Sequence, residues 1–394
     1  MKPGATFDER AGEALADLNL QEALGRVTAR FRELMRRAFS GVPAPDSLRA
    51  RARESRERTF QELDRHLERL VGNVERAGGR VHFVRTAEEA CRLVVELARS
   101  RGVKTAVKSK SMASEELELN HALEAAGIRA HETDMGEWII QLAGERPSHL
   151  IAPAVHKTRA QVAELFRQHA GAELGEDAET LTALARRTLR QYFLEAEMGV
   201  SGVNFAVAET GTLVLVTNEG NGRMVTTLPR VHVAIMGIEK VVPSLEDLMT
   251  LLAVLPRSAT GQKLTSYVTL LTGPRKPGER DGPEELHLVI LDAGRTRHLG
   301  GAFQEAFHCI RCGACLNVCP VYTKVGGHSY NSVYSGPIGS ILTPMLRAGE
   351  GDLELPTASS LCGACLEACP VMVDIPRMLL EMREVRVDQR KAPL

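Results

Sequence analysis

The sequence predicts an α/β protein, a mainly parallel sheet preceded by a helical segment and followed by a cysteine-rich module. Three observations carry that reading. Apolar residues recur at helical spacing through the first 77 residues, short strand-like runs alternate with helix-like ones from Gly78 onward, and seven of the eight cysteines fall after residue 308. Alternating strands and helices are the pattern of βαβ units, in which each helix returns the chain to the same end of a parallel sheet. The 394 residues are enough for two or three domains with ample core. We divide them into a helical segment at 1–77, an α/β domain at 78–300 and a cysteine domain at 301–394.

In the first segment Pro43 and Pro45 interrupt the helical pattern, and Asp46 or Ser47 can cap the helix that follows. Phe60, Leu63, Leu67, Leu70 and Val74 then form one apolar stripe. The run Arg49–Arg58 holds five arginines against two glutamates. It reads as a solvated helix face, with a docking surface for an acidic partner as the alternative. No aromatic platform interleaves with the charge, which argues against nucleic acid.

Gly78–Gly79 stop the helix. Strands are expected at Arg80–Val84, Lys104–Val107, Ile128–Glu132 and Leu150–Ala152, with helices at Thr86–Ser100, Ser114–Ala126 and Gly136–Ala143 between them. Two further helices, Lys157–His169 and Asp177–Glu197, lead into a strand-rich half. Its strands are expected at Val203–Ala208, Thr212–Thr217, Val231–Ile235, Tyr267–Leu271 and Leu286–Leu291, with one helix, Ser244–Leu255, among them. Gly273–Glu285 is a charged Gly/Pro loop, and Gly294–Gly301 reads as the linker into the cysteine domain. Cys91 lies inside a helix beside Val94 and Val95 and reads as a small buried hydrophobe.

Composition excludes several classes. With 44% hydrophobic and 25% charged residues and a formal net charge of −1, nothing points to nucleic acid or to an anionic membrane. The start, MKPGATFDERAGEAL, has acids where a secretory signal needs an apolar core. The longest apolar stretches, such as Leu248–Leu255, fall short of the roughly 20 residues that span a bilayer. These features imply a cytoplasmic, reducing setting without direct membrane insertion.

The cysteines carry the strongest chemical signal. Cys312–Pro320, CGACLNVCP, returns fifty positions on as Cys362–Pro370, CGACLEACP. The first copy has an additional Cys309, whose counterpart fifty residues on is Ser359. The run C-x2-C-x2-C-x3-C-P resembles the ligand pattern of bacterial two-cluster ferredoxins, in which the fourth cysteine of each run ligates the other cluster. Carried over, that rule gives Cys309, Cys312, Cys315 and Cys369 to one [4Fe–4S] cluster and Cys319, Cys362 and Cys365 to a second. The fourth place of the second falls on Ser359. A serine oxygen ligand, a [3Fe–4S] cluster and a labile iron with an open position are the three outcomes. A zinc site would instead use paired C-x2-C units in tetrahedral geometry.

Three polar clusters stand at strand ends. Lys108, Ser109, Lys110 and Ser111 follow a strand and precede a helix, a place where an α/β sheet binds anions with help from helix N-terminal amides. A solvated turn is the plain alternative. Glu132–Glu137 and Ala154–Lys157 occupy equivalent positions. They make His156 a candidate general base, Lys157 a candidate carboxylate clamp and Glu137 a further catalytic candidate. Asn218–Arg223 reads as a hairpin turn, with Arg223 as an anion ligand in the sharper reading. No G-x-G-x-x-G follows a strand and no P-loop is present, so no nicotinamide or flavin motif is seen.

KSKSM at 108–112, ETDMGEWIIQL at 132–142, PSHLIAPAVHK at 147–157, GVNFAVAETGT at 202–212 and TNEGNGRM at 217–224 resemble the LUD (lactate-utilisation) domain. RSATGQK at 257–263, GPEELHLVILDAGR at 282–295 and CIRCGACLNVCPVY at 309–322 extend the match in unbroken order to the LUD-domain iron–sulfur protein family. The resemblance implies a NagB/RpiA/CoA-transferase-like α/β fold followed by an α-helical ferredoxin-like two-cluster domain. It also implies a role in oxidising L-lactate to pyruvate beside a cysteine-rich redox subunit and a second LUD-domain subunit. Members usually continue well beyond the second cluster, whereas this chain ends at Leu394, and Met135 and Trp138 are variants in an otherwise typical run.

Lactate gives up two electrons and a cluster passes one at a time, so something must first accept hydride or its equivalent. With no flavin motif in the chain, the expectation is an iron–sulfur electron-transfer subunit that is not active alone. The alternatives are a redox- or iron-sensing partner-binding protein and a CoA-transferase or sugar-phosphate enzyme with an appended redox switch. None of Glu132, Glu137 and Glu209 stands out as the nucleophile a CoA-transferase would need.

Overall fold

A computed structural model describes residues 5–171, 173–347 and 350–388. Four helices come first: α1 (Phe7–Ala16), α2 (Leu18–Ser40), α3 (Pro45–Gln61) and α4 (Leu63–Arg76). α1 opens on a reciprocal cap between Thr6 and Glu9, and α3 starts with Pro45 in its first turn, where a missing N–H costs nothing. The apolar stripe of α4 faces inward, with Leu63, Leu70 and Val74 buried.

Ten strands follow: β1 (Arg80–Val84), β2 (Thr105–Lys108), β3 (Arg129–Glu132), β4 (Met198–Gly202), β5 (Phe205–Val207), β6 (Thr212–Thr217), β7 (Val231–Gly237), β8 (Val241–Val242), β9 (Tyr267–Leu271) and β10 (Glu285–Leu291). Six form a wholly parallel sheet in the order β1-β10-β7-β4-β2-β3. The other four form a mixed sheet in the order β8-β5-β6-β9. The parallel sheet is buried on both faces. In β7, Val231, Val233 and Ile235 pack under the helices Ala87–Ser100 and Leu119–Ala125, while Ala234 and Met236 face the other core, as alternation along a strand requires. That second core is continuous from α1–α4 through the mixed sheet into the cysteine domain. Among the described residues no helix is long and apolar enough to cross a membrane.

Four expectations are corrected. β4 was not expected, yet it lies in the middle of the parallel sheet. Leu150–Ala152 is not a strand but part of an irregular loop whose polar groups bond to the cysteine domain. Asn218–Arg223 is not a hairpin turn, because β6 pairs with β5 and β9 while the chain must cross to β7 in the other sheet. The short helix Asn221–Val225 makes that crossing. The arginine run of α3 is a solvated face only in part: Arg51 and Arg58 are exposed, while Arg49, Arg53 and Arg56 turn to the rest of the protein. Arg49 donates to the carbonyls of Glu367 (2.6 Å) and Cys369 (2.9 Å), and Arg53 to that of Met372 (3.0 Å). Arg56 is fully buried and donates to the carbonyls of Glu239, Val241 and Phe307, and Arg58 pairs with Asp247 at 2.8 Å. Spacings of four and three residues place Arg49, Arg53 and Arg56 on one helix face, so α3 clamps the cysteine domain to the α/β domain.

Candidate functional site

The two cysteine runs repeat each other in backbone as well as in sequence. Arg311 and Leu361 both take a left-handed conformation (φ 60° and 55°), as do Gly313 and Gly363 (φ 74° and 83°). Ala314–Val318 and Ala364–Ala368 form matching single-turn helices that end on Cys319 and Cys369. The positive φ at the glycines turns each chain so that its cysteines converge, a conformation other residues adopt only under strain.

Cys309, Cys312, Cys315 and Cys369 line one cavity together with Ile310, Ile338, Val371, Val373 and Ile375. Cys319, Cys362 and Cys365 lie within electrostatic reach of one another, and Cys362 is exposed. Burial pushes the thiol of Cys315 far up, that of Cys365 to about 12 and that of Cys369 to about 11. As thiolates, these sulfurs need a metal to hold them.

Ser359 stands where the duplication places it. The amide of Arg311 donates to Cys309 Sγ at 3.4 Å, and the amide of Leu361 donates to Ser359 Oγ at 3.1 Å. The serine oxygen thus makes in the second run the contact that a cysteine sulfur makes in the first.

The surroundings of Cys309 also fit an anionic group. Glu239, just past the end of β7, is buried and receives Arg295 at 2.8 Å and Arg311 at 3.4 Å. Arg295, just past β10, also pairs with Glu116 at 2.8 Å, and the hydroxyl of Tyr334 donates to the same carboxylate at 2.7 Å. Burial works against a charge on Glu239, but Arg295, Arg311 and Lys240 outweigh it and hold the carboxyl at about 2. Burial lowers Arg56 to about 10 and Lys240 to about 8. Four cations, Arg56, Lys240, Arg295 and Arg311, therefore share two carboxylates, Glu116 and Glu239. The remaining positive charge suits a thiolate-ligated cluster, which carries net negative charge.

The polar strand-end residues separate into two groups. Lys108 and Glu132 end the neighbouring strands β2 and β3 and are paired partners in the register. The Lys108 ammonium lies 2.6 Å from both Glu132 Oε1 and Asn120 Oδ1 and 3.5 Å from Glu115, so it is spent inside the protein. Ser111 caps the helix Met112–Glu116 through Ser114 N at 3.2 Å, and the Ser109 amide donates to Val200 O. Arg223 lies apart, its guanidinium 5.7 Å from the centre of the Tyr267 ring. Lys110 and Glu137 remain. Lys110 Nζ and Glu137 Oε1 stand 3.8 Å apart, and both are buried without a hydrogen-bond partner. Burial pushes the Glu137 carboxyl up to about 8. His156 and Lys157 are both drawn to Glu145, His156 Nε2 at 2.7 Å from one of its oxygens and Lys157 Nζ against the other.

The loop after these residues joins the α/β domain to the cysteines. His149 is buried, and its Nδ1 accepts the amides of Ile151 (3.0 Å) and Ala152 (3.2 Å). Its Nε2–H therefore donates to Asn317 Oδ1 at 3.2 Å, between Cys315 and Cys319. Burial holds this imidazole neutral, near 4. The Tyr322 hydroxyl donates to Ser148 O at 2.7 Å, and the backbones pass so closely that a Cβ on Gly327 would lie 1.9 Å from that oxygen. Sequence reasoning missed His149, Glu239, Arg295 and Arg311. Only Glu239 and Arg295 carry a sequence signal of this kind, a charged residue shortly after an apolar strand run, in GIEK and LDAGR.

Comparison with known proteins gives a consistent result. A LUD domain model matches residues 67–291, and a 4Fe-4S dicluster domain model matches residues 305–373. Lactate utilization protein B of Shouchella clausii is 48% identical over 388 residues, 98% of this chain and 82% of that one. The protein of the same name from Bacillus licheniformis is 47% identical over 390 residues, with the same coverage. A solved DUF162 family protein from Deinococcus radiodurans aligns over 58% of this chain and 98% of its own at 13% identity and a TM-score of 0.30, too low to argue from.

Proposed function

From a chain that belongs to the lactate utilization protein B family, we infer an iron–sulfur electron-transfer subunit of a multi-protein system that oxidises L-lactate to pyruvate. One observation carries the reading. The carboxyl-end edge of the parallel sheet, where α/β folds bind their ligands, is the edge against which the cysteine domain packs, through Glu239, Arg295, Arg311 and His149. A substrate held at that edge lies beside the cysteines rather than across the molecule from them.

In this reading Cys309, Cys312, Cys315 and Cys369 hold one cluster, and Cys319, Cys362 and Cys365 hold the other with Ser359 Oγ in fourth place. Bound there, the clusters supply one-electron transfer at potentials the surrounding charge tunes. The chain's own groups do the rest. Lys110 offers a buried ammonium to the carboxylate of a small hydroxy acid, and Glu137, neutral at pH 7, donates a hydrogen bond or takes up a proton beside it. Cys362, exposed, marks the face where a redox partner approaches, and the cysteine-rich subunit of the system is the partner we assign to it. A second LUD-domain subunit completes the assembly in the cytoplasm. A CoA-transferase reading draws no support from Glu137, because a carboxyl pushed up toward 8 is largely protonated at pH 7, whereas that reaction needs a carboxylate nucleophile.

The test is anaerobic reduction of the cluster-loaded chain by L-lactate, followed by bleaching of the cluster absorbance. Fast reduction is expected with both partner proteins present and none with the chain alone. Lactate turnover by the isolated chain without added flavin overturns the subunit reading.

A further inference from the structure

Outside the cysteines, one group of side chains among the described residues has the composition of a metal site. Glu145, His156 and His328 each bring one possible ligand atom to within 4.8 Å of the others'. Glu145 follows the helix Met135–Ala143, His156 follows the loop that carries His149, and His328 belongs to the cysteine domain next to Gly327. The three close the seam between the two domains at one wall of a large cleft, which Lys157, Gln141 and Glu137 also line.

Hydrogen bonds orient both imidazoles. His328 Nε2 lies 2.7 Å from the carbonyl of Arg146, and His156 Nε2 lies 2.7 Å from Glu145 Oε2. A carbonyl oxygen can only accept, so His328 Nε2 carries its hydrogen and Nδ1 keeps the lone pair. His156 instead turns Nε2 toward the carboxylate, so that an ion taking the place of that hydrogen would have both His156 Nε2 and Glu145 Oε2 as ligands. His156 Nδ1 is buried and has no partner, in a side chain only 10% exposed. The two rings meet edge to face with centroids 4.5 Å apart. His328, with its N–H held by a backbone carbonyl and its other nitrogen left for an ion, has the arrangement of a metal-ligating histidine. Lys157 holds the second oxygen of Glu145, Oε1, so the carboxylate has one oxygen to offer.

We propose that His156, His328 and Glu145 form a mononuclear site for a divalent first-row transition ion of the zinc class, bridging the α/β and cysteine domains. Two imidazoles and a carboxylate oxygen form a ligand set that zinc and its neighbours favour. Bonds of about 2.1 Å require ligand atoms roughly 3–3.5 Å apart, within reach of small side-chain rotations from the present spacing. The remaining coordination positions face the cleft, open to water or to an oxygen-bearing ligand. This site stands apart from the cluster cysteines and does not depend on the electron-transfer reading.

The experiment uses the full, cluster-loaded chain, washed with EDTA, equilibrated anaerobically with ZnCl2, desalted and analysed for zinc and iron together. Wild type is expected to retain one zinc per chain with its iron unchanged. His156→Ala and His328→Ala should each weaken zinc binding at least tenfold, again with iron unchanged. Lys157→Met, which removes the competing ammonium, should tighten it several-fold, a change that a mere ion-pair latch between domains cannot produce. In wild type zinc should also raise the unfolding temperature, so the proposal stays testable if an alanine variant fails to fold. Zinc retention equal in wild type and in the double histidine variant overturns the site, and so does zinc uptake matched by iron loss, which would place the ion on the cysteines.

Discussion

Replacing Glu239 by glutamine removes one negative charge from a buried group of four cations while keeping the side chain's shape. Two routes give the size of the effect. A carboxyl held at about 2, against ~4.3 in an unfolded chain, is worth about 3 kcal/mol at neutral pH. Removing one partner of a buried ion pair costs about 3–5 kcal/mol, because the charge left behind is uncompensated. Among the described residues Arg311 is then left with no carboxylate, whereas Arg295 keeps Glu116. The assay is anaerobic urea unfolding of the cluster-loaded protein, followed by the fluorescence of Trp138, the only tryptophan and a buried one. The folded carboxyl is depressed, so its contribution is present above ~4.3 and is lost as pH falls toward 2. The gap between wild type and Glu239→Gln should therefore stay flat from pH 8 to about 5 and narrow below that. A loss under about 0.5 kcal/mol, the range of an ordinary surface substitution, or a gap that widens on acidification, would refute the reasoning.

Glu137→Gln should show the opposite pH trend. The carboxyl is raised to about 8, so wild type is favoured at low pH and loses that advantage between ~4.3 and 8, and the variant gains relative stability across that window in the same urea assay. Ser359→Cys should give the second cluster site a full thiolate set, with an ordinary reduced [4Fe–4S] signal by EPR. Ser359→Ala should lower iron content while leaving the first site's signal intact. Arg49→Ala removes charge-assisted bonds to Glu367 O and Cys369 O worth about 1.5–3 kcal/mol, and iron release to a chelator should be several-fold faster.

The convergence of the cysteines was legible because they come from two short stretches with their spacing written into the chain, and even the place of Ser359 showed as an offset. The strands of the parallel sheet were legible where they are apolar. β4 was not, for a physical reason. Its sequence, MGVSG, holds two glycines, and a Cβ on Gly199 would lie 2.0 Å from Val225 O, so close packing replaced the side chain that would have revealed the strand. The role of the arginines in α3 was hidden because their partners are backbone carbonyls, which have no sequence signature. Glu239, Arg295 and Arg311 come together only in the fold, since each follows a different element. Among the strand-end lysines, sequence could not separate Lys108, spent on Glu132, from Lys110, left without a hydrogen-bond partner.

The clamp made by α3 has a consequence for synthesis. Arg49, Arg53 and Arg56 leave the ribosome early, whereas the first carbonyl they hold in the cysteine domain, that of Phe307, follows Arg56 by roughly 250 residues. At about 5–20 residues per second this interval lasts about 12–50 s. Throughout it the guanidinium of Arg56 and the apolar face around Leu24 and Leu48 have no cysteine domain to pack against. The nascent chain therefore displays a sticky, cationic helical surface until the metal-binding end is made.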